Sequence, residues 1–389
     1  MKKVFNLLVS FVLIAGFSAC SKDDSGNQQV PKNPVPSADY KGLAFISSGE
    51  SSVRLAQVGT PYEISLEYST DETHWKPYTI GETITLADST FLLFRNGEHK
   101  NRKFSKDDEN YYHFEISGPI SARGNIMSLL NRDFSTQLTF YGFFALFEGC
   151  TSLLSAPELP ATTMEKGCYS QMFAGCTALK SAPELPANVL ANNCYGWMFK
   201  GCSALASAPE LPATKMEAYC YNGMFANCTK LTSAPDLHAK RLESNCYNCM
   251  FEGCTSLTSA PELPATYLVR ECYHSMFNGC TSLTSAPILP ATTLDWGCYS
   301  EMFQGCTSLT SAPKLPAKEL IRNCYQLMFK DCSKLRYVKA LFTTSPSEET
   351  TKDWLSGVAA SGTFVKSKNA TWNVTGVHGI PKGWKIETQ

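Results

Sequence analysis

Fifteen of the 17 cysteines fall in two columns with a step of 26 residues. One column is 150, 176, 202, 228, 254, 280, 306 and 332, and the other is 168, 194, 220, 246, 272, 298 and 324. Thiols in such number could cross-link, ligate a metal or carry a redox reaction. Cross-linking fits poorly. Within one unit the two cysteines stand eight residues apart, about 12 Å along a helix, which no disulfide spans. Pairing along the second column leaves one thiol over. The residues therefore read as reduced, buried thiols that behave as small apolar side chains. Cys246-Tyr247-Asn248-Cys249 is a C-x-x-C, the spacing of zinc and redox pairs. No second pair stands at zinc spacing, and Cys249 occurs in one unit only, so it reads as a surface residue.

A second candidate chemistry is a row of carboxylates. The variable position after the proline of each unit holds Glu158, Glu184, Glu210, Asp236 and Glu262, followed by Ile288 and Lys314. Units stacked at strand spacing align the five acids, which repel one another unless solvated or matched by a cation. The row reads as a solvated face or, more sharply, as a docking stripe for a basic partner or Ca²⁺. The six histidines (74, 99, 113, 238, 274, 378) are scattered. There is no G-x-S-x-G, P-loop or H-E-x-x-H. No catalytic residue, cofactor or metal site is expected. Trp75 reads as a core or strand-edge residue, with stacking on a sugar ring as the alternative. A net charge of −1 and the lack of a basic stripe argue against nucleic acid.

The elements that position these residues follow from the same period. Phe recurs at 147, 173, 199, 225, 251, 277, 303 and 329, and Leu at 153, 179, 205, 231, 257, 283, 309 and 335. Fixed Leu columns at this period mark an α/β leucine-rich-repeat solenoid, whose units bury their apolar face only by stacking. Cys298, Met302, Phe303 and Cys306 fall on one face of a short helix. It should end at Gly149, Gly175, Gly201, Asn227, Gly253, Gly279, Gly305 and Asp331, residues that accept a left-handed backbone. The Pro column (157, 183, 209, 235, 261, 287, 313) donates no N–H. The parallel strand before it should shrink to about two or three residues around Leu-Thr-Ser. Strands about 4.8 Å apart and helices about 10 Å apart would make the strand side concave.

The solenoid is expected over 136–341, as about eight units. Residues 40–135 carry short alternating runs, such as Ile64–Tyr68 and Tyr112–Ile116, which suggest a small β-rich sandwich. Gly124–Leu130 should join it to the first unit and cover it. Residues 342–389 leave the repeat, and Trp354, Phe364, Trp372 and Trp384 should seal its end. At the front, Lys2-Lys3, an apolar stretch and Ser18-Ala19-Cys20 form a signal peptide over 1–20. Its end resembles a bacterial lipobox, which makes Cys20 the lipidated residue. Ser21–Asp24 resembles the acidic export signal of surface lipoproteins in Bacteroidota. Residues 21–39 read as a flexible tether.

The Met-Phe-x-Gly-Cys-Thr-x-Leu unit, seen at Met276–Leu283 and Met302–Leu309, resembles the 26-residue repeat of BspA-like leucine-rich-repeat surface proteins. Leu66–Asp71, Gly124–Leu129, Trp354–Val358 and Gly379–Trp384 are similar to flanking modules of Bacteroides members. The resemblance implies a non-catalytic outer-membrane lipoprotein at the cell surface. It implies adhesion to, or recognition of, a host or matrix protein or another bacterial surface component. Two alternatives stand beside it: glycan binding by the β-rich domain, and a passive structural role in the envelope.

Overall fold

The computed structural model describes residues 35–97, 101 and 103–389; Cys20 and the signal segment lie outside the described residues. Each 26-residue unit is one coil of a β-solenoid with almost no helix. The segment predicted as helical instead forms a ladder of turns. Ser170, Met172, Ala174 and Cys176 donate their N–H three residues back within the coil. The alternate residues Tyr169, Gln171, Phe173 and Gly175 donate to Cys194, Gly196, Met198 and Lys200 of the next coil, at 2.7–3.0 Å. Both sets of amides are thereby satisfied, half within the coil and half between coils.

A left-handed residue at every fourth position prevents an α-helix. In one coil these are Gly167, Gln171 and Gly175 (φ 68°, 57° and 76°), and in another Asn245, Cys249 and Gly253 (φ 60°, 54° and 69°). The Gly/Asn/Asp column predicted to be left-handed is so throughout, from Gly149 (φ 74°) to Asp331 (φ 62°). It closes a turn ladder rather than a helix. Each non-glycine residue in this conformation costs about 1–2 kcal/mol. Against that, one coil buries Tyr247, Met250, Phe251, Leu257, Leu263 and Leu268, each worth about 1.5–3 kcal/mol. Burial outweighs the backbone cost, but only when a neighbouring coil supplies the other wall.

The aromatic columns show the stacking directly. Successive Phe rings from Phe147 to Phe329 lie 5.4–5.7 Å apart and nearly parallel. The Tyr rings from Tyr169 to Tyr325 lie 5.8–6.1 Å apart. This spacing on the turn side removes the helix-to-strand mismatch that was the reason to expect a concave strand face.

The strand side is thinner than expected. Three residues, Leu153–Ser155, form a strand in the first coil. Later coils keep single bridges at this position, such as Ser259↔Ser285, beside which the Thr284 N–H donates a hydrogen bond to Thr258 O at 3.3 Å. The proline that follows interrupts the pairing, which resumes past the second proline, as where Val189–Leu190 lies parallel to Lys215–Met216.

Residues 43–123 are β-rich. The strands are β1 (Leu43–Ser47), β2 (Ser51–Val58), β3 (Leu66–Ser69), β4 (Lys76–Pro77), β5 (Thr83–Leu86), β6 (Phe91–Asn96), β7 (Tyr111–Ser117) and β8 (Ile120–Arg123). One sheet runs β4-β3-β6-β1-β8 and continues into the solenoid through β9 (Leu153–Ser155), which lies parallel to β8; the other is β5-β2-β7. Phe45, Phe94 and Phe114 join the two sheets into a sandwich, with ring centroids 5.0–6.0 Å apart. Gly124–Leu130 follows β8 along the first coil. Ile126–Leu129 is a buried turn of 3-10 helix, and Glu158 N–H donates to Gly124 O.

The sandwich closes the solenoid by imitating a coil. Phe114 stacks on Phe147 at 5.4 Å, and Phe104 meets Phe143 at 5.8 Å with its ring tilted by 34°, extending the two aromatic columns. At the other end, residues 349–356 continue the turn ladder, with Phe329 N–H donating to Trp354 O at 2.9 Å. Tyr337–Ala340, Thr363–Lys366 and Lys385–Thr388 form a small parallel sheet. Trp354, Phe364, Trp372 and Trp384 are all buried. The indole N–H groups of Trp354, Trp372 and Trp384 reach the carbonyls of Gly379, Phe342 and Ala359.

Candidate functional site

The thiols settle into structural roles. All 16 described cysteines are free, and all but Cys249 are buried. In the column from Cys176 to Cys332 each Sγ donates to the carbonyl of the Phe in the preceding coil, at 3.0–3.1 Å. Cys150 does the same to Phe114 at 2.9 Å. The residue must be small, apolar and still a weak donor, which a thiol provides. Burial pushes Cys202, Cys254 and Cys332 up to about 12, so the thiolate that redox chemistry requires is suppressed. The C-x-x-C is split in the same way. Cys246 donates inward to Glu243 O at 2.7 Å, whereas Cys249 occupies a left-handed position and donates to Asn248 Oδ1 at 2.8 Å.

Trp75 is packed rather than presented. Its ring lies against Ala44, Phe91 and Leu93 on the outer face of the first sheet. Arg95 sits 3.8 Å from the ring centroid, and Tyr40 flanks it at 6.1 Å. Glu67 holds Arg95 in place at 2.7 Å. No group of three His, Cys, Asp or Glu side chains that could hold a metal ion occurs among the described residues.

What remains presented is the carboxylate row. Glu158, Glu184, Glu210, Asp236 and Glu262 are all exposed. Glu158 and Glu184 line a groove of about 270 Å³ between two coils, walled by Pro157, Pro160, Pro183 and Pro186. Glu210 and Asp236 line a second, of about 290 Å³, with Pro209, Pro212, Pro235 and His238. Glu262 lies outside both grooves. Prolines fix these walls and withhold N–H donors, so the surface is rich in acceptors. The row then changes character: Ile288 is 83% exposed, and Lys314 follows.

The coil geometry and the 26-residue step are those of one family of repeats. A family model described as BspA type leucine rich repeat region (6 copies) matches residues 144–249 and 244–347. The chain belongs to that family. No curated protein and no solved structure matches it. BspA-type repeats are typically a non-catalytic interaction scaffold, which points to a role in protein interaction. The carboxylate row of this repeat region is legible from its period. The contact of Tyr111 with Phe144, where the sandwich meets the first coil, is not, because two separate segments supply the rings.

Proposed function

We propose that this BspA-type chain is a lipid-anchored protein of the outer membrane, tethered through Cys20, that uses its solenoid to recognise a partner at the cell surface. The partner class is a host or matrix protein or another bacterial surface component. The observation that carries the reading is the row of five exposed carboxylates on successive coils, beside rigid proline-walled grooves. Similar small contacts repeated along a stack favour multivalent binding over one deep pocket. The change from acid to Ile288 and Lys314 gives the row a direction, and electrostatic complementarity of that kind sets register more than affinity.

Glycan capture by Trp75 of the sandwich loses its main support, since Arg95 and Tyr40 flank the ring.

The test uses residues 21–389 against immobilised matrix proteins and whole bacterial surfaces. Saturable binding should weaken with salt and fall at least about tenfold in the double variant Glu184→Lys, Glu210→Lys, a loss of about 1.4 kcal/mol. Binding that ignores both salt and the charge reversal would refute the docking stripe. Binding that requires Ca²⁺ would replace the basic partner with a bridging cation.

A further inference from the structure

The cap sheet leaves one strand edge open at the far end of the stack. The last coil bridges to Tyr337–Ala340, which pairs with Thr363–Lys366, which pairs with Lys385–Thr388, all in parallel. Among the described residues no strand pairs with the outer side of Lys385–Thr388, and all four of its residues are exposed. The Lys385 N–H donates to Gly362 O at 2.8 Å and the Gln389 N–H to Lys366 O at 3.0 Å, so the odd-numbered residues turn their amides into the sheet. Strand alternation then points the N–H and C=O of Ile386 and Thr388 away from it. Val338, Phe364 and Ile386 stand side by side across the three strands. The first two are fully buried, whereas Ile386 is 43% exposed. On the opposite face Lys385 Nζ lies 2.8 Å from Glu387 Oε1.

From this arrangement we infer that the edge pairs antiparallel with the same strand of a second copy of this chain, joining two solenoids cap to cap. Outward amides can meet only outward amides, so the two-fold axis has few places to fall. Centred on Ile386, it lets Ile386 exchange both backbone hydrogen bonds with its own copy. Lys385 then stands opposite the partner subunit's Glu387, and Glu387 opposite the partner subunit's Lys385. Opposite charges face each other twice, and the exposed Ile386 side chains cover one another. Centred on Glu387 instead, the axis sets that carboxylate against its own copy, a like-charge contact. Centred on Thr388, it sets Glu387 opposite the partner subunit's Gln389, with no charge to match. A lysine commonly guards an edge strand against pairing. In the first register alone, Glu387 answers it. The carboxylate row on the coils takes no part, and either surface can fail without the other.

The experiment is sedimentation velocity of residues 21–389 over a concentration series that reaches the millimolar range. The overlap is short, so a weak, concentration-dependent dimer is expected. Lys385→Glu and Glu387→Lys each set like charges opposite one another and should each raise its dissociation constant at least tenfold. The double variant exchanges the two charges and should restore the dimer. Ile386→Pro removes the outward N–H but no bond within the sheet, so it should abolish the dimer with little change in melting temperature. Glu184→Lys should leave the dimer unchanged. A chain that stays monomeric throughout the series would overturn the proposal. So would a dimer that survives Ile386→Pro, or one that the single charge variants weaken and a folded double variant fails to recover.

Discussion

Cys228 Sγ donates to Phe199 O at 3.1 Å, across the boundary between two coils. The same carbonyl also accepts the backbone N–H of Cys202 at 3.0 Å within its own coil. One acceptor thus ties a coil to itself and to its successor, and the arrangement recurs along the stack. Cys228→Ala removes the thiol and leaves a small void. We expect a loss of about 1–3 kcal/mol, measured as a shift of the urea midpoint. A loss below about 0.5 kcal/mol, the level of an ordinary surface substitution, would count against a structural role for this column.

Alkaline stability tests the whole set of thiols. Burial raises the folded-state value of Cys202, Cys254 and Cys332 from 9.0 to about 12. Above about pH 9 the unfolded chain loses these protons while the folded chain keeps them. Stability is therefore fully present below about pH 9 and falls as pH rises toward about 12, by about 1.4 kcal/mol per pH unit for each such thiol. Urea midpoints measured from about pH 8 to about pH 11 should drop steeply. A flat profile over that range would show that the thiols are already accessible.

The left-handed column makes a prediction by residue type. At Gly175 (φ 76°) a Cβ would meet only Gly149 backbone atoms at 3.6 Å, so space is available and conformation decides the outcome. Gly175→Asn should cost little, since Asn227 already occupies the equivalent position (φ 62°). Gly175→Val should cost about 2 kcal/mol or more, because a β-branched side chain resists this region. Thermal melts of the two variants distinguish the cases, and equal melting temperatures would contradict the left-handed assignment.

Whole coils should be removable. Deleting residues 229–254 brings Phe225 before Phe277 and restores every column. Such a variant should remain folded and cooperative, with a modestly lower melting temperature, because stability in a stack is a sum over coils and their interfaces. Deleting half a coil instead breaks every column and should abolish folding. Circular dichroism melts of both variants provide the comparison.

The end cap can be weakened selectively. Trp354 is fully buried and its indole donates to Gly379 O. Trp354→Ala should cost about 3–5 kcal/mol. Hydrogen exchange should then accelerate first in the coils nearest Phe329 rather than around Phe147. Uniform acceleration along the solenoid would argue against fraying from this end.

The turn ladder shows where a reading of side-chain pattern stops. Cys168, Tyr169, Met172, Phe173 and Cys176 are buried at a strict step of four, whereas a helix turns every 3.6 residues. Over so short a segment the two periods place nearly the same side chains inward, so the pattern alone could not separate them. The deciding fact is where alternate amides go. Tyr169 donates to Cys194 and Phe173 to Met198, in the next coil, and no local propensity records such a contact.

The 26-residue period, the inward columns and the left-handed Gly/Asn/Asp positions could all be read from the chain without coordinates, whereas the strand before proline survives only in the first coil. Each is a local property of side-chain volume, a missing N–H or an allowed φ. Folding settled the rest. It made the coil a ladder of turns, and it set Phe104 and Phe114 in place of a missing repeat. It also chose which residues of distant segments are neighbours, such as Tyr111 and Phe144. These outcomes depend on distant segments meeting in one register, and that register is fixed by stacking rather than by any single stretch of chain.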